Sequence, residues 1–214
     1  MKRLLHFVYH RYGPLLALTA FAVVLILLRV CITSTMFYTF LLWNLFLAVL
    51  PYALGQIIKR NGLVHGRLRF GMPLFIIWLL LLPNAPYLMT DLVHLHSPHS
   101  NWKWFDLFTV FVFGLAGLFF GALSILDMQG ILWLRFGGKV ARALTFTICL
   151  LTGYGMYLGR FLRFNSWDAL LKPKQVAIHA LSALGHPKVW MLSLAFGTFL
   201  WLVVRALHWV KQGG

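Results

Sequence analysis

The sequence contains no glutamate, and its only acids are four aspartates: Asp91, Asp106, Asp127 and Asp168. Charged residues of both signs make up 11% of the 214 residues, where a soluble domain carries about a quarter. With 61% of the chain hydrophobic, that scarcity points to a membrane protein. Cysteine is nearly absent too. Cys149 lies inside an apolar run and Cys31 at the end of another, which argues against a disulfide framework or a cysteine metal site. No HExxH, phosphate loop, nucleotide fingerprint or Ser-His-Asp order is present, so the common catalytic signatures give no lead.

What is abundant is base: 19 lysines and arginines. Such an excess suggests nucleic acid, but these residues sit in short loops between apolar runs, where they fix the orientation of a membrane protein and attract anionic headgroups. The expected partner is therefore the lipid bilayer and not nucleic acid. The N-terminus imitates a signal peptide, with a basic start and an apolar centre. The small residues needed for cleavage are missing, and an uncleaved first helix is expected.

A spanning helix needs roughly 20 apolar residues. Six segments qualify: 14–33, 36–58, 70–90, 105–127, 141–161 and 187–209. None alternates in polarity as a barrel strand would. The expectation is an all-α, polytopic transmembrane bundle of about six helices, forming one domain over residues 1–214. Placing the N-terminus inside puts 12 basic residues within and seven outside. This predicts a multi-pass protein of the cytoplasmic membrane with both termini in the cytoplasm. Five of the outer seven fall in the loop between the last two runs or within two residues of its edges. Within that loop, residues 174–184 are mildly amphipathic and too short to span, which suits a helix lying flat on the outer surface. Trp102, Trp104, Trp167 and Trp190 suit interface anchors.

Gly117/Gly121 and Gly155/Gly159 have the spacing that lets helix backbones approach closely. They suggest packing of these two helices against each other or a neighbour, including self-association or a membrane-protein partner. The third run ends Pro83-Asn84-Ala85-Pro86-Tyr87. Two prolines three apart predict a kink or break there, with Asn84 capping a new short helix. On that helix Tyr87, Asp91 and His94 fall on neighbouring positions.

Arg160, Arg163, Asn165 and Asp168 follow the fifth run, on the same predicted side as Asp91, His94 and Asp106. Asn44 extends this patch downward. Only 17 residues separate Arg142 from Arg160, about 26 Å of helix. Arg160 is therefore expected at the hydrocarbon edge, where an isolated charge costs about 2.5–3.5 kcal/mol or more and draws a carboxylate. The candidate cluster is Asn84, Tyr87, Asp91, His94, Asp106, Arg160, Arg163, Asn165 and Asp168. Simple structural pairing of the same charges stands beside any functional reading. A metal at Asp91 and His94 with His96 and His99 lacks a fixed frame, so no metal and no cofactor is assigned. Asp127, at the other end, suits a cap or a pair with Arg135.

The residues Pro83 to Tyr87, Thr90-Asp91-Leu92 with His94, Trp104-Phe105-Asp106 and Tyr157 through Asp168 resemble a family of bacterial and archaeal membrane proteins of unknown function, DUF1361. The resemblance runs from about the second to the fifth helix. It implies a membrane protein and marks where a site lies, without implying an activity or catalytic residues. Three functions stay open. The first is binding or transport of a small, anionic solute, although transport lacks charges through the helix centres. The second is an accessory or assembly subunit. The third is an outer-leaflet enzyme acting on a lipid-linked or cell-surface substrate, with Asp91 or Asp168 as base, His94 as shuttle and Arg160 as clamp.

Overall fold

In a computed structural model of the chain, residues 2–61, 68–95 and 102–213 are described; within them the side chains of 2–12, 61, 68–70, 93–95, 170, 212 and 213 are not. The apolar runs form helices in sequence: α1 (Lys2–Thr33), α2 (Phe40–Asn61), α3 (Leu68–Leu81), α5 (Lys103–Phe136), α6 (Gly138–Phe161) and α9 (Pro187–Gly213). Three short helices sit between them: α4 (Asn84–Tyr87), α7 (Asp168–Leu171) and α8 (Pro173–Ala183). A 3-10 segment, Leu88–Leu95, follows α4. Among the described residues there is no strand, as backbone self-sufficiency in lipid requires of an open bundle.

Among the described residues, five stretches are long and apolar enough to cross a membrane: Gly13–Thr33, Phe37–Arg60, Gly71–Leu92, Lys103–Phe136 and Pro187–Lys211. The remaining expected span, 141–161, is the helix α6. Its 24 residues provide the length, but it is not among these five. Its threonines dilute the apolarity, yet they need no water. Thr145, Thr147 and Thr152 donate to the carbonyls of Ala141, Ala143 and Ile148, one turn back. α6 packs most extensively on α9. The closeness comes from Gly153 and Gly197: a β-carbon on Gly197 would stand 2.8 Å from the Leu150 backbone.

α5 is the central helix. Of its spanning window 72% is buried, against 28% to 33% for the other four. It touches α1, α2, α4, α6, α9 and the 3-10 segment. One core cluster around it joins Trp78, Leu82, Ile125, Met128, Ile148 and Leu200. The other joins Leu41, Leu45, Ala85, Leu88, Phe113 and Ala116. Lipid is as apolar as these side chains, so close packing and interhelical hydrogen bonds hold such clusters together. Trp78 Nε1 donates to Ser124 Oγ at 2.8 Å, and Ser124 in turn donates to the Pro51 carbonyl at 2.9 Å, tying α3, α5 and α2.

The predicted break is present. α3 stops at Leu81, a turn occupies Leu82 and Pro83, and the chain re-enters helix at Asn84. Neither proline has an amide hydrogen, so only local bonds remain, such as Tyr87 N to Pro83 O at 3.1 Å. Asn84 does not cap α4, however. Pro83 occupies the cap position, without a side-chain bond. α8 forms as a separate helix with Pro173 in its first turn. Ile178 and Leu181 are exposed on one face, and Ala183 is buried on the other.

Candidate functional site

Both glycine pairs grip the broken segment. On α5, a methyl group on Gly117 would overlap the Ala85 carbonyl and lie 2.8 Å from Leu88 Cδ1, and one on Gly121 would lie 3.1 Å from Ala85 Cβ. On α6, a methyl on Gly155 would overlap the Pro83 ring, while Gly159 faces the Tyr87 ring at ordinary contact distance. The two small-residue faces therefore close on residues 83–88 of the same chain. Partner binding through them would have to displace this segment.

Held in this way, the segment presents Tyr87, Thr90 and Asp91 to α6. Arg160 Nη1 donates to Asp91 Oδ1 at 3.3 Å and to Tyr87 Oη at 3.2 Å, and Nη2 donates to the Thr90 carbonyl. Its guanidinium also lies over the Tyr87 ring, 5.3 Å from the centroid. Asn44 Nδ2, from α2, donates to Asp91 Oδ2 at 2.9 Å. Asp91 is 0% exposed and the Arg160 side chain 19%. The expected pairing at the end of α6 thus forms, and Asn44 joins it by an interhelical hydrogen bond.

Asn84 Nδ2 donates to Ser166 Oγ at 2.9 Å, which fastens α4 to the chain beyond α6. Arg163 adopts a left-handed backbone, φ 58°, a conformation costing a non-glycine residue on the order of 1–3 kcal/mol. Its side chain is exposed, and no hydrogen-bond or ion partner for it is found among the described residues. Asn84, Tyr87, Asp91, Arg160, Arg163 and Asn165 all line one cavity of about 930 Å3. The cavity is bounded by α2, the end of α3, α4, α6 and α8, and its walls include Leu47, Leu79, Leu80, Leu151 and Leu158. Tyr154, also lining it, donates from Oη to the Ala180 carbonyl at 2.5 Å and so pins α8 across α6.

The predicted single cluster divides here. Asp106 does not reach Arg160. It is 2% exposed and bound through both oxygens by Arg29 of α1, Nη2 to Oδ2 at 3.1 Å and Nε to Oδ1. Arg29 also lies 5.6 Å from the centroid of the Tyr38 ring. Asp168 does not reach it either. Its Oδ2 accepts the Asn165 amide at 2.7 Å and closes the turn that starts α7. Neither Asp106 nor Asp168 lines the cavity. The side chain of His94, and all of His96 and His99, lie outside the described residues. At the opposite end, Asp127 pairs with Lys59 at 2.7 Å and accepts from Gln56 at 2.6 Å, rather than meeting Arg135. Arg29 was the residue the sequence reading missed as a partner. The signal was available, since it too is a cation near the end of an apolar run.

Residues 43–203, about three quarters of the chain, match a family model described as "Protein of unknown function (DUF1361)". No curated protein and no solved structure matches the chain. The matched region holds α3 through α8 and all the cavity residues except Phe37 and Phe40, while Arg29 precedes it.

Proposed function

Because the chain belongs to the DUF1361 family, described as of unknown function, we propose its function from its own side chains: it is a membrane protein that binds an anionic group in the cavity between α2, α3, α6 and α8. The observation that carries this reading is the charge on the wall. Asp91 offsets Arg160 at 3.3 Å, and Arg163 faces the same cavity with no partner among the described residues. One positive charge is left over in a wall that also carries the amides of Asn84 and Asn165 and the hydroxyls of Tyr87 and Ser166. Donors surrounding a guanidinium suit a phosphate or carboxylate oxygen. The 12-to-7 basic split supports an outer position for this cavity. Binding is better supported than passage, because below Asn44 and Tyr154 the lining turns to leucine and offers an ion no ligand.

The test is a calorimetric titration of the full chain in a neutral detergent with inorganic phosphate. Saturable binding is expected, weakened at least tenfold by Arg163→Gln. Binding that Arg163→Gln leaves unchanged, or no binding at all, rejects the reading.

A further inference from the structure

The cavity has two chemically distinct ends. Its polar end carries Asn84, Tyr87, Arg160 and Arg163, and its apolar wall carries Leu47, Leu79, Leu80 and Leu151. A site for a free inorganic ion needs only the first. The apolar wall is long: Leu151 lies nine residues before Arg160 on the continuous helix α6, about 13 Å along its axis. One leaflet of hydrocarbon is about 15 Å thick, half of a typical bilayer core. On α2 the lining likewise descends from Phe40 to Leu47. α3 and α6 touch each other sparingly, and both line the cavity, so its leucine end lies in the gap between two membrane helices. Leu80 is 36% exposed and Leu151 45%, so neither wall is closed over by protein.

We propose that the ligand is an amphiphile with a phosphate head, the head against Arg163 and Arg160 and the hydrocarbon chain along Leu80 and Leu151, entering sideways from the outer leaflet. The inference rests on the anion-binding reading above and adds the class of ligand. The Arg163 guanidinium matches a phosphate oxygen pair in shape and charge. The volume, about 930 Å3, falls in the range of roughly 300–1,000 Å3 that encloses small organic ligands. Phosphate alone would leave the leucine wall without a role.

The experiment uses the full chain in neutral detergent and three probes: phosphatidic acid, phosphatidylcholine and inorganic phosphate. Native mass spectrometry counts bound lipid, and titration calorimetry gives the affinity for inorganic phosphate. One phosphatidic acid per chain is expected, held at least tenfold more tightly than phosphatidylcholine or inorganic phosphate. Arg163→Gln should lower both phosphatidic acid and phosphate binding tenfold or more. Leu151→Trp and Leu80→Trp, at part-exposed positions that tolerate bulk, should fill the apolar wall. Each should abolish the preference for phosphatidic acid and leave inorganic phosphate binding within about twofold. If phosphatidic acid and inorganic phosphate bind equally and neither tryptophan variant changes this, the amphiphile inference falls and the anion site stands. If neither probe binds, or Arg163→Gln has no effect, both fall together.

Discussion

Replacing Arg160 by methionine should destabilise the protein more than replacing Asp91 by asparagine, although each removes one member of the same ion pair. The asymmetry follows from burial. Asp91 is 0% exposed, whereas the Arg160 side chain is 19% exposed. Arg160→Met leaves a carboxylate sealed from water beside Asn44, and removing one member of a buried pair costs about 3–5 kcal/mol. Asp91→Asn keeps an oxygen for one donor, and Arg160 retains Tyr87 Oη and the Thr90 carbonyl and can draw water. That loss is closer to one charge-assisted hydrogen bond, about 1.5–3 kcal/mol. The double variant Arg160→Met with Asp91→Leu removes both charges. It should be more stable than Arg160→Met alone, since apolar replacement of a whole buried pair is often neutral or better. Reversible unfolding of the purified chain in mixed micelles with increasing dodecyl sulfate, followed by tryptophan fluorescence, gives the comparison. Equal losses in the two single variants, or a double variant as unstable as their sum, would refute the reasoning.

In the same assay Gly117→Ala should lose about 1–3 kcal/mol through overpacking, because its methyl group would overlap the Ala85 carbonyl. Gly130→Ala, with nothing within 4 Å, should stay within about 0.5 kcal/mol; similar losses in both would mean that α5 does not grip the broken segment. For orientation, Ser97→Cys and Ser182→Cys in a Cys31→Ser, Cys149→Ser background should each react with an impermeant thiol reagent in intact cells. Protection of both until lysis would invert the proposed topology.

The helices, the break between Leu82 and Pro86 and the need of Arg160 for a carboxylate were legible because each follows from one stretch of chain and a rule of lipid physics. Backbone groups must be paired, proline cannot donate, and a cation ending a short helix draws a carboxylate. Choosing among several carboxylates is a different problem. Asp106 lies 77 positions from Arg29, and Asp127 lies 68 from Lys59. Those pairings depend on α1 and α2 both lying against α5, which periodicity does not reveal. The proposed pair of Asp127 with Arg135 favoured proximity in sequence over neighbouring helices. The glycines were legible as close-contact sites, but not their occupant. The spacing says that a backbone can approach, and only the fold shows that it belongs to residues 83–88. α6 carries the same lesson from the other side. Its threonines lower its apolarity in sequence, while their bonds to carbonyls one turn back remove most of the polarity in the helix.

The placement of the four aspartates bears on chemistry as well as on packing. A general base must come within about 2.6–3.2 Å of the proton it takes. Asp91 offers Oδ1 to Arg160 and Oδ2 to Asn44 and has no exposed surface, so a substrate reaches it only if one of those donors moves. Asp106 is held by Arg29 away from the cavity, Asp168 closes the turn before α7, and Asp127 pairs with Lys59 at the other end. Each acid thus joins two parts of the chain. Besides Asp91 and the Arg160 it holds, the polar lining consists of one cation, three amides and three hydroxyls: Arg163, Asn44, Asn84, Asn165, Tyr87, Tyr154 and Ser166. These groups hold charge and form hydrogen bonds. A site made of such groups suits the proposed anion, with Asp91 holding Arg160 beside Tyr87 and Thr90 and Arg163 left to contact it.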